Sequence, residues 1–170
     1  QGESDRVLTL FSFDRGLVGS IAKGARKQKS KFGGSLELFN ECELILNQGK
    51  TFEIITEAMP TNHYISDQSD LGIISDAHFF SELTIKALIE NHPAPELYNS
   101  LSFCLDNLGK YNHRLLRVYY ISKVLKFLGT YPELSICLAC QKKPIGNVRF
   151  SNSAGGIFCD RCRPITEGLF

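Results

Sequence analysis

Two Cys-x-x-Cys pairs constrain the fold of this 170-residue chain more than any other feature of its sequence. The pairs are Cys137 with Cys140 and Cys159 with Cys162, and residues 141–158 separate them. Pairs separated by about 15–20 residues are typical of a four-thiolate zinc site. Four protein ligands leave the metal no open coordination position, so the predicted site is structural and not catalytic.

Two disulfides and a redox-active pair are the alternatives to zinc. The first residues of the sequence lack the basic and apolar regions of a signal peptide, which argues against a secreted protein. Cys42 and Cys104 lie on apolar faces of a predicted strand and a predicted helix, where they are expected to be buried. We therefore predict a zinc module at residues 133–170, with a small hairpin between the pairs.

The first sixty residues have the pattern of β-structure. Apolar runs or alternating residues predict strands at 7–13, 17–22, 35–46 and 51–58, and Pro60 is expected to end the last. Short strands joined by turns favour a small barrel or sandwich over residues 1–60. Four strands rarely close a barrel, so a further strand is expected upstream of Gln1.

Residues 61–132 change to a helical period and predict a helical bundle. Helices are expected from about Asp70, over residues 97–108 and from Asn112 to Gly129. The third is apolar around most of its circumference, which predicts a central position in the bundle. The fold class is therefore α+β.

The formal net charge of +1 conceals charged blocks. Residues 22–31, here named the basic loop, contain no acid and five cations, which are Lys23, Arg26, Lys27, Lys29 and Lys31. Such a run can bind nucleic-acid phosphates, and Phe32 at its edge can offer a face on which a base stacks. The alternative is a solvated surface loop, but a position between barrel strands favours nucleic-acid binding.

No catalytic motif accompanies these features. Gly49-Lys50-Thr51 ends like a P-loop but lacks the upstream glycine, and the four histidines show no metal-ligand spacing. No apolar run approaches the ~18 residues of a membrane span. The sequence thus argues against an enzyme and against a membrane protein.

The order of motifs resembles the RecO family of bacterial recombination mediators. The resemblance extends over most of the chain and rests on GESDR at residues 2–6, KGARK at 23–27, SKFGG at 30–34, LELF at 36–39, Gly49, Leu128-Gly129, Pro132, Leu134, and Gly155-Gly156 before the second cysteine pair.

The resemblance implies an oligonucleotide-binding (OB-like) barrel, a helical bundle and a zinc module. It implies a cytoplasmic, nucleoid-associated protein that binds single- and double-stranded DNA, anneals strands and cooperates with RecR to load recombinase onto strands coated by single-strand binding protein. The basic-loop cations would contact DNA, and the apolar surface of the bundle is the expected contact for single-strand binding protein. The family's opening strand would precede Gln1, and its members continue past the last cysteine pair.

Two other functions remain open at this point. A zinc-stabilised protein–protein adaptor would use the basic loop only as a soluble surface. An RNA-binding module is equally compatible with phosphate contacts, because phosphates do not distinguish RNA from DNA.

Overall fold

The computed structural model describes residues 3–66 and 70–162. The described chain has the order β1 (Arg6–Ser12), β2 (Gly16–Ala22), β3 (Asn40–Asn47), β4 (Glu53–His63), α1 (Leu71–Ala87), α2 (Pro95–Asp106), α3 (His113–Phe127), β5 (Val148–Ser151), β6 (Gly156–Cys159). This mixed content confirms the α+β class. The chain divides into two compact units, residues 1–124 and 125–170. A division at residues 60 and 132 stays a prediction.

Four strands of the first unit form one sheet in the order β1-β2-β4-β3. The outer pairs are antiparallel, whereas β2 and β4 are parallel and paired only where Ser20–Ile21 face Glu53–Ile54. Within the described residues β1 and β3 each have one neighbour, so the sheet keeps two free edges. These four strands alone do not form the closed barrel that the sequence led us to expect.

The third strand begins later than its alternating pattern predicts. Residues 35–39 form turns, and regular pairing with β4 starts at Asn40. Phe39 has a φ of 64°, which is incompatible with an extended strand, and the side chain of Leu38 is 59% exposed. The alternation of residues 35–39 therefore did not indicate a strand there.

The fourth strand continues through Pro60, which was expected to end it. Pro60 pairs with Cys42 of β3 next to a register shift between Glu41 and Cys42. The contact of β4 with β2, at Glu53–Ile54, lies far from this point, so Pro60 lies in a part of β4 that is a sheet edge, where proline is tolerated. The expectation that proline ends a strand was wrong here, because Pro60 lies where β4 has only one neighbouring strand.

The three helices begin close to where the sequence predicts, because the residues that start them act locally. The Asp70 side chain accepts a hydrogen bond from the Ile73 backbone N–H, and the Asn112 side chain accepts one from the Arg114 N–H. Pro95 opens α2 in the first turn, where no N–H is needed. Apolar side chains of these helices form a core with Leu17 of β2.

The third helix is not central, contrary to its sequence prediction. Only one side of α3 is buried, through Leu116, Tyr120 and Val124. On its other side Leu115 and Val118 are 69% and 64% exposed. Apolar composition around a helix does not guarantee burial, and the described residues supply packing partners on one side of α3 only.

The second unit contains the antiparallel hairpin of β5 and β6, as predicted between the two cysteine pairs. The backbone of Glu133 bridges to Gly156, so β6 is paired on both of its edges. Residues 163–170 of the expected module, and Gly2 of the family motif, lie outside the described residues. Among the described helices, none has the length and apolar character needed to cross a membrane.

Candidate nucleic-acid interface and metal centre

The basic loop belongs to a ribbon of consecutive turns that connects β2 to β3. Backbone N–H groups along residues 25–40 donate to carbonyl oxygens three positions earlier at seven points, from Ala25 to Ala22 through Asn40 to Glu37. Turn hydrogen bonds of this kind fix φ and ψ locally without making a helix or a strand. The loop therefore has a defined backbone.

Two hydrogen bonds tie the start of the basic loop to the segment before β1. The Gly24 N–H donates to Asp5 Oδ1 at 2.9 Å, and the Arg26 N–H donates to the Ser4 carbonyl oxygen at 3.0 Å. Gly24 has a φ of 67°, a conformation that favours glycine. These bonds use backbone groups of the loop and leave its cationic side chains free.

The end of the basic loop is tied to β4 by a side chain. Lys31 Nζ donates to the carbonyl oxygen of Thr56 at 2.6 Å and lies 5.1 Å from the centre of the Phe32 ring. One of its three donor positions is thus used within the fold, and the ammonium keeps two donors for an external acceptor.

All five cations of the basic loop are exposed. The ion pairs between described residues use other cations, namely Arg6, Arg15, Lys86 and Arg117. None of the five loop cations is therefore neutralised by a carboxylate of the described chain. An external anion such as a phosphate can pair with them without breaking an internal ion pair.

Phe32 is not available as a base-stacking platform, which corrects the sequence-based expectation. Its side chain is only 3% exposed and packs in a core cluster with Ala22, Leu36 and Ile55. Removing a buried phenylalanine side chain from the core costs about 3–5 kcal/mol, which opposes movement of the ring out to a base. The role of Phe32 in the structure is to hold the ribbon onto the sheet.

A cavity of about 590 Å³ lies between the sheet and the helices of the first unit. Its walls include Leu8 and Leu10 of β1 and Leu44 of β3, which belong to the two strands with free edges. Sequence reasoning did not locate this cavity, because it depends on how the strands, the turns before β3 and the helices pack in three dimensions.

Two tyrosines share one carboxylate at the wall of this cavity. The Tyr64 and Tyr98 hydroxyls donate to the two oxygens of Glu41, at 2.7 and 2.6 Å. Burial raises the pKa of the Tyr64 hydroxyl to about 12. The cluster links β3 to α2, and the sequence offered no signal for it, because the three residues are far apart along the chain.

The four predicted ligands come together in the second unit. The sulfur atoms of Cys137, Cys140, Cys159 and Cys162 all lie within 4.8 Å of one another, and no other group of three or more potential metal ligands is found among the described residues. Cys140 Sγ and Cys159 Sγ are 4.0 Å apart, and all four cysteines are free thiols. A disulfide needs a sulfur–sulfur distance of about 2.05 Å, so the arrangement does not correspond to two disulfides.

Backbone hydrogen bonds hold this cluster. The Cys137 N–H donates to the Lys142 carbonyl oxygen, the Leu138 N–H donates to the Ile157 carbonyl oxygen, each at 2.9 Å, and the Cys159 N–H donates to Cys137 Sγ at 3.4 Å. The segment that carries the first cysteine pair is thereby fixed against the β5–β6 hairpin. Its geometry depends on the main chain and not on side-chain packing alone.

The thiols differ in how readily they ionise. Hydrogen bonds from the backbone N–H groups of Cys140 and Cys159 lower the pKa of the Cys137 thiol to about 6. Side-chain hydrogen bonds with Cys159 and Cys140 raise the pKa of the Cys162 thiol to about 12. Neighbouring thiolates repel one another, so a bound cation is what allows all four to ionise together.

Comparison with known proteins matches both parts of the chain to one family. Residues 1–64 match the family described as "Recombination protein O N terminal", and residues 68–169 match "Recombination protein O C terminal". A protein of Desulfitobacterium hafniense named "DNA repair protein RecO" is 33% identical over 168 residues, which cover 98% of this chain and 61% of the relative.

Two further relatives carry the same name. The one from Dehalococcoides mccartyi is 32% identical over 170 residues, covering 99% of this chain and 67% of the relative. The one from Bifidobacterium adolescentis is 32% identical over 165 residues, covering 93% and 67%. The chain thus spans about three-fifths to two-thirds of the length of these curated relatives. By these matches, the chain belongs to the RecO family of DNA repair proteins.

Proposed function

We propose that this chain is a non-catalytic DNA-binding recombination mediator. It binds single- and double-stranded DNA, anneals complementary strands and helps to load recombinase onto strands coated by single-strand binding protein, on the nucleoid in the bacterial cytoplasm. The observation that carries the proposal is the basic loop, whose five cations are exposed and unpaired with described carboxylates in a member of the RecO family.

Annealing by this loop requires no bond chemistry. Two DNA strands repel each other through their phosphates, and cations placed between them lower that repulsion. Five phosphate contacts give single-strand binding a log–log salt slope of about −3.5, at ~0.7 per phosphate. Because the loop backbone is already fixed, little backbone conformational entropy is lost on binding, and the entropic cost falls on the five cationic side chains.

We propose that the four cysteines bind one structural zinc ion. Tetrahedral zinc with Zn–S bonds of about 2.3 Å places its sulfur ligands about 3.8 Å apart. The observed separations, 4.0 Å for one pair and within 4.8 Å for all, need only a small contraction to reach that geometry. The ion would cross-link the two cysteine pairs, and the chemistry it supplies is structural.

An OB-like closed barrel is the architecture we propose for the sheet. A fifth strand placed between the free edges of β1 and β3 would pair with both, and it would cover the apolar side chains that line the cavity there. Pairing both edges would also remove the exposed backbone donors and acceptors of those strands.

The proposed partners are RecR and single-strand binding protein. For the latter, the outer face of α3 is the surface we favour, because Leu115 and Val118 expose apolar area there beside the cation Arg114. Residues 110–129 carry five cations and no acid, so the surface favours a partner segment that combines apolar and acidic side chains.

Annealing of complementary strands precoated with single-strand binding protein, with and without RecR, tests the function. The loop variant replaces the five cations, as Lys23→Gln, Arg26→Gln, Lys27→Gln, Lys29→Gln and Lys31→Gln. The control variant removes the same charge from exposed cations elsewhere, as Lys50→Gln, Lys86→Gln, Lys142→Gln, Lys143→Gln and Arg149→Gln.

We expect the wild type to anneal the coated strands with RecR, the control variant to retain this activity and the loop variant to lose most of it. Absence of annealing by the wild type would contradict the mediator function. Equal annealing by the loop variant and the wild type would favour the protein–protein adaptor, in which the basic loop only contributes to the solubility of the protein.

A further inference from the structure

We propose that the basic loop holds nucleic acid by its sugar–phosphate backbone without stacking on the bases, so that the bases of a bound strand remain free to pair. The inference rests on the proposed function and specifies which part of the ligand the loop recognises. It follows from the juxtaposition of five exposed cations with a neighbouring ring that points into the core.

The first step is the position of Phe32. Base stacking needs an aromatic face open to solvent, and the Phe32 side chain is 3% exposed. The Phe32 N–H donates to Ser30 Oγ at 3.2 Å, and the Ser35 N–H donates to the Phe32 carbonyl oxygen at 2.9 Å. The main chain on both sides of the ring is thus fixed in the conformation that directs it inward.

The second step is that no other ring near the loop replaces it. Phe39, the next aromatic residue of the ribbon, packs on the helical core. The centres of its ring and of the His78 ring are 4.9 Å apart. Between residues 16 and 66, within the described chain, Phe32 is buried, and Phe39, Phe52 and Tyr64 are half-buried, so no phenylalanine or tyrosine there presents a fully open face. The exposed side chains of the loop are its cations and Gln28.

The third step is the consequence for the ligand. A cation that meets a phosphate is indifferent to the base attached to it, whereas each base stacked on a ring is worth about 5- to 140-fold in affinity. A strand gripped by phosphates presents its Watson–Crick edges to a second strand. Annealing depends on this presentation, because a stacked base must first leave its ring before it can pair.

The test compares the loop's contribution to the binding of two ligands. One is an oligodeoxythymidine strand, and the other is an abasic strand of the same length made of tetrahydrofuran nucleotides. The contribution is the dissociation constant of the loop variant divided by that of the wild type. Both constants are measured for each strand at the same salt concentration. Because the ratio is taken within one ligand, base contacts made elsewhere on the protein cancel.

We expect the two ratios to agree within about twofold, because the loop meets only phosphates. If the ratio for the abasic strand is at least about fivefold smaller than the ratio for oligodeoxythymidine, the inference is overturned, since the loop would then depend on a base contact. That result would leave the proposed function intact. A ratio close to one for both strands would show that the loop does not bind DNA, and both proposals would fail.

Discussion

Phe32 and its neighbours show how adjacent residues divide between the core and the cationic surface of the basic loop. The ring packs beneath the ribbon, while Lys31 beside it donates to Thr56 and keeps part of its ammonium exposed. Composition placed an aromatic residue at the edge of a cationic run. It did not reveal which way the ring points, because that depends on turns formed by residues on both sides.

Phe32→Ala tests this assignment at the scale of the residue. We expect a loss of about 3–5 kcal/mol in the free energy of unfolding, because the change leaves a cavity in the core. Phe32→Leu should cost less, since much of the volume is retained. Urea denaturation measures both.

The DNA affinity of folded Phe32→Leu should equal that of the wild type, because the ring does not touch the ligand. The two proteins are compared under conditions in which the variant is fully folded. A variant of wild-type stability with a weakened affinity for DNA would restore the stacking role.

The four-cysteine cluster was predictable at this scale, because the spacing within and between the two pairs is typical of a site in which four sulfurs meet. Cys137→Ser should abolish stoichiometric zinc and loosen residues 133–162, since structural zinc supplies about 10–16 kcal/mol to small modules. Metal analysis and amide hydrogen exchange measure these effects.

Cys42→Ser is the matched control, since Cys42 lies on β3 outside the cluster. It should keep the zinc content of the wild type. DNA binding through the basic loop should persist in Cys137→Ser. Wild-type protein purified without chelator and found to contain no zinc would contradict the site.

At the scale of the element, helices were more predictable than strands. The start of α1 depends on Asp70 and that of α3 on Asn112, and both caps act within three residues along the chain. The start of β3 and the passage of β4 through Pro60 depend on pairing between residues far apart in sequence. A local pattern therefore carries little information about them.

The ion pair between α1 and α3 joins one buried and one exposed side chain, so the two partners should differ in the cost of their removal. The Asp76 side chain is buried and accepts a hydrogen bond from Arg117 Nε at 2.6 Å, whereas the Arg117 side chain is 41% exposed. Arg117→Ala leaves a buried carboxylate unpaired and should cost about 3–5 kcal/mol in the free energy of unfolding.

Asp76→Asn should cost less, about 1–2 kcal/mol, because the exposed guanidinium can be solvated by water. Thermal or urea unfolding of the two variants under the same conditions provides the comparison. An equal or larger loss for Asp76→Asn would show that the pair does not stabilise the helices in the way described.

The outer face of α3 yields a prediction about a partner. Val118→Asp should weaken binding to single-strand binding protein, because it places a negative charge beside the exposed apolar side chain of Leu115. Stability should change by no more than about 0.5 kcal/mol, since the side chain is mostly exposed.

Leu71→Asp on α1 is the matched control, since Leu71 is 85% exposed and lies on another helix. Titration with fluorescently labelled single-strand binding protein compares the three proteins. If Leu71→Asp weakens binding as much as Val118→Asp, the contact is not specific to α3.

At the scale of the whole molecule, charge is divided along the chain while the total remains +1. The basic loop carries five cations between β2 and β3, and residues 61–109 carry seven acids and one base. Under the proposed function, the basic loop would offer DNA a local binding site on a chain whose total charge is nearly zero. The order of motifs predicted the family from sequence, but the free strand edges and the one-sided burial of α3 required the three-dimensional structure.

The salt dependence of single-strand binding tests the central claim most directly, because it counts the phosphates that the loop neutralises. We predict a log–log slope for the wild type that is steeper by about 3.5 than that of the loop variant, at ~0.7 per phosphate. The control variant should keep the wild-type slope. Equal slopes and affinities for the wild type and the loop variant would contradict the account, because the five cations would then make no contact with DNA.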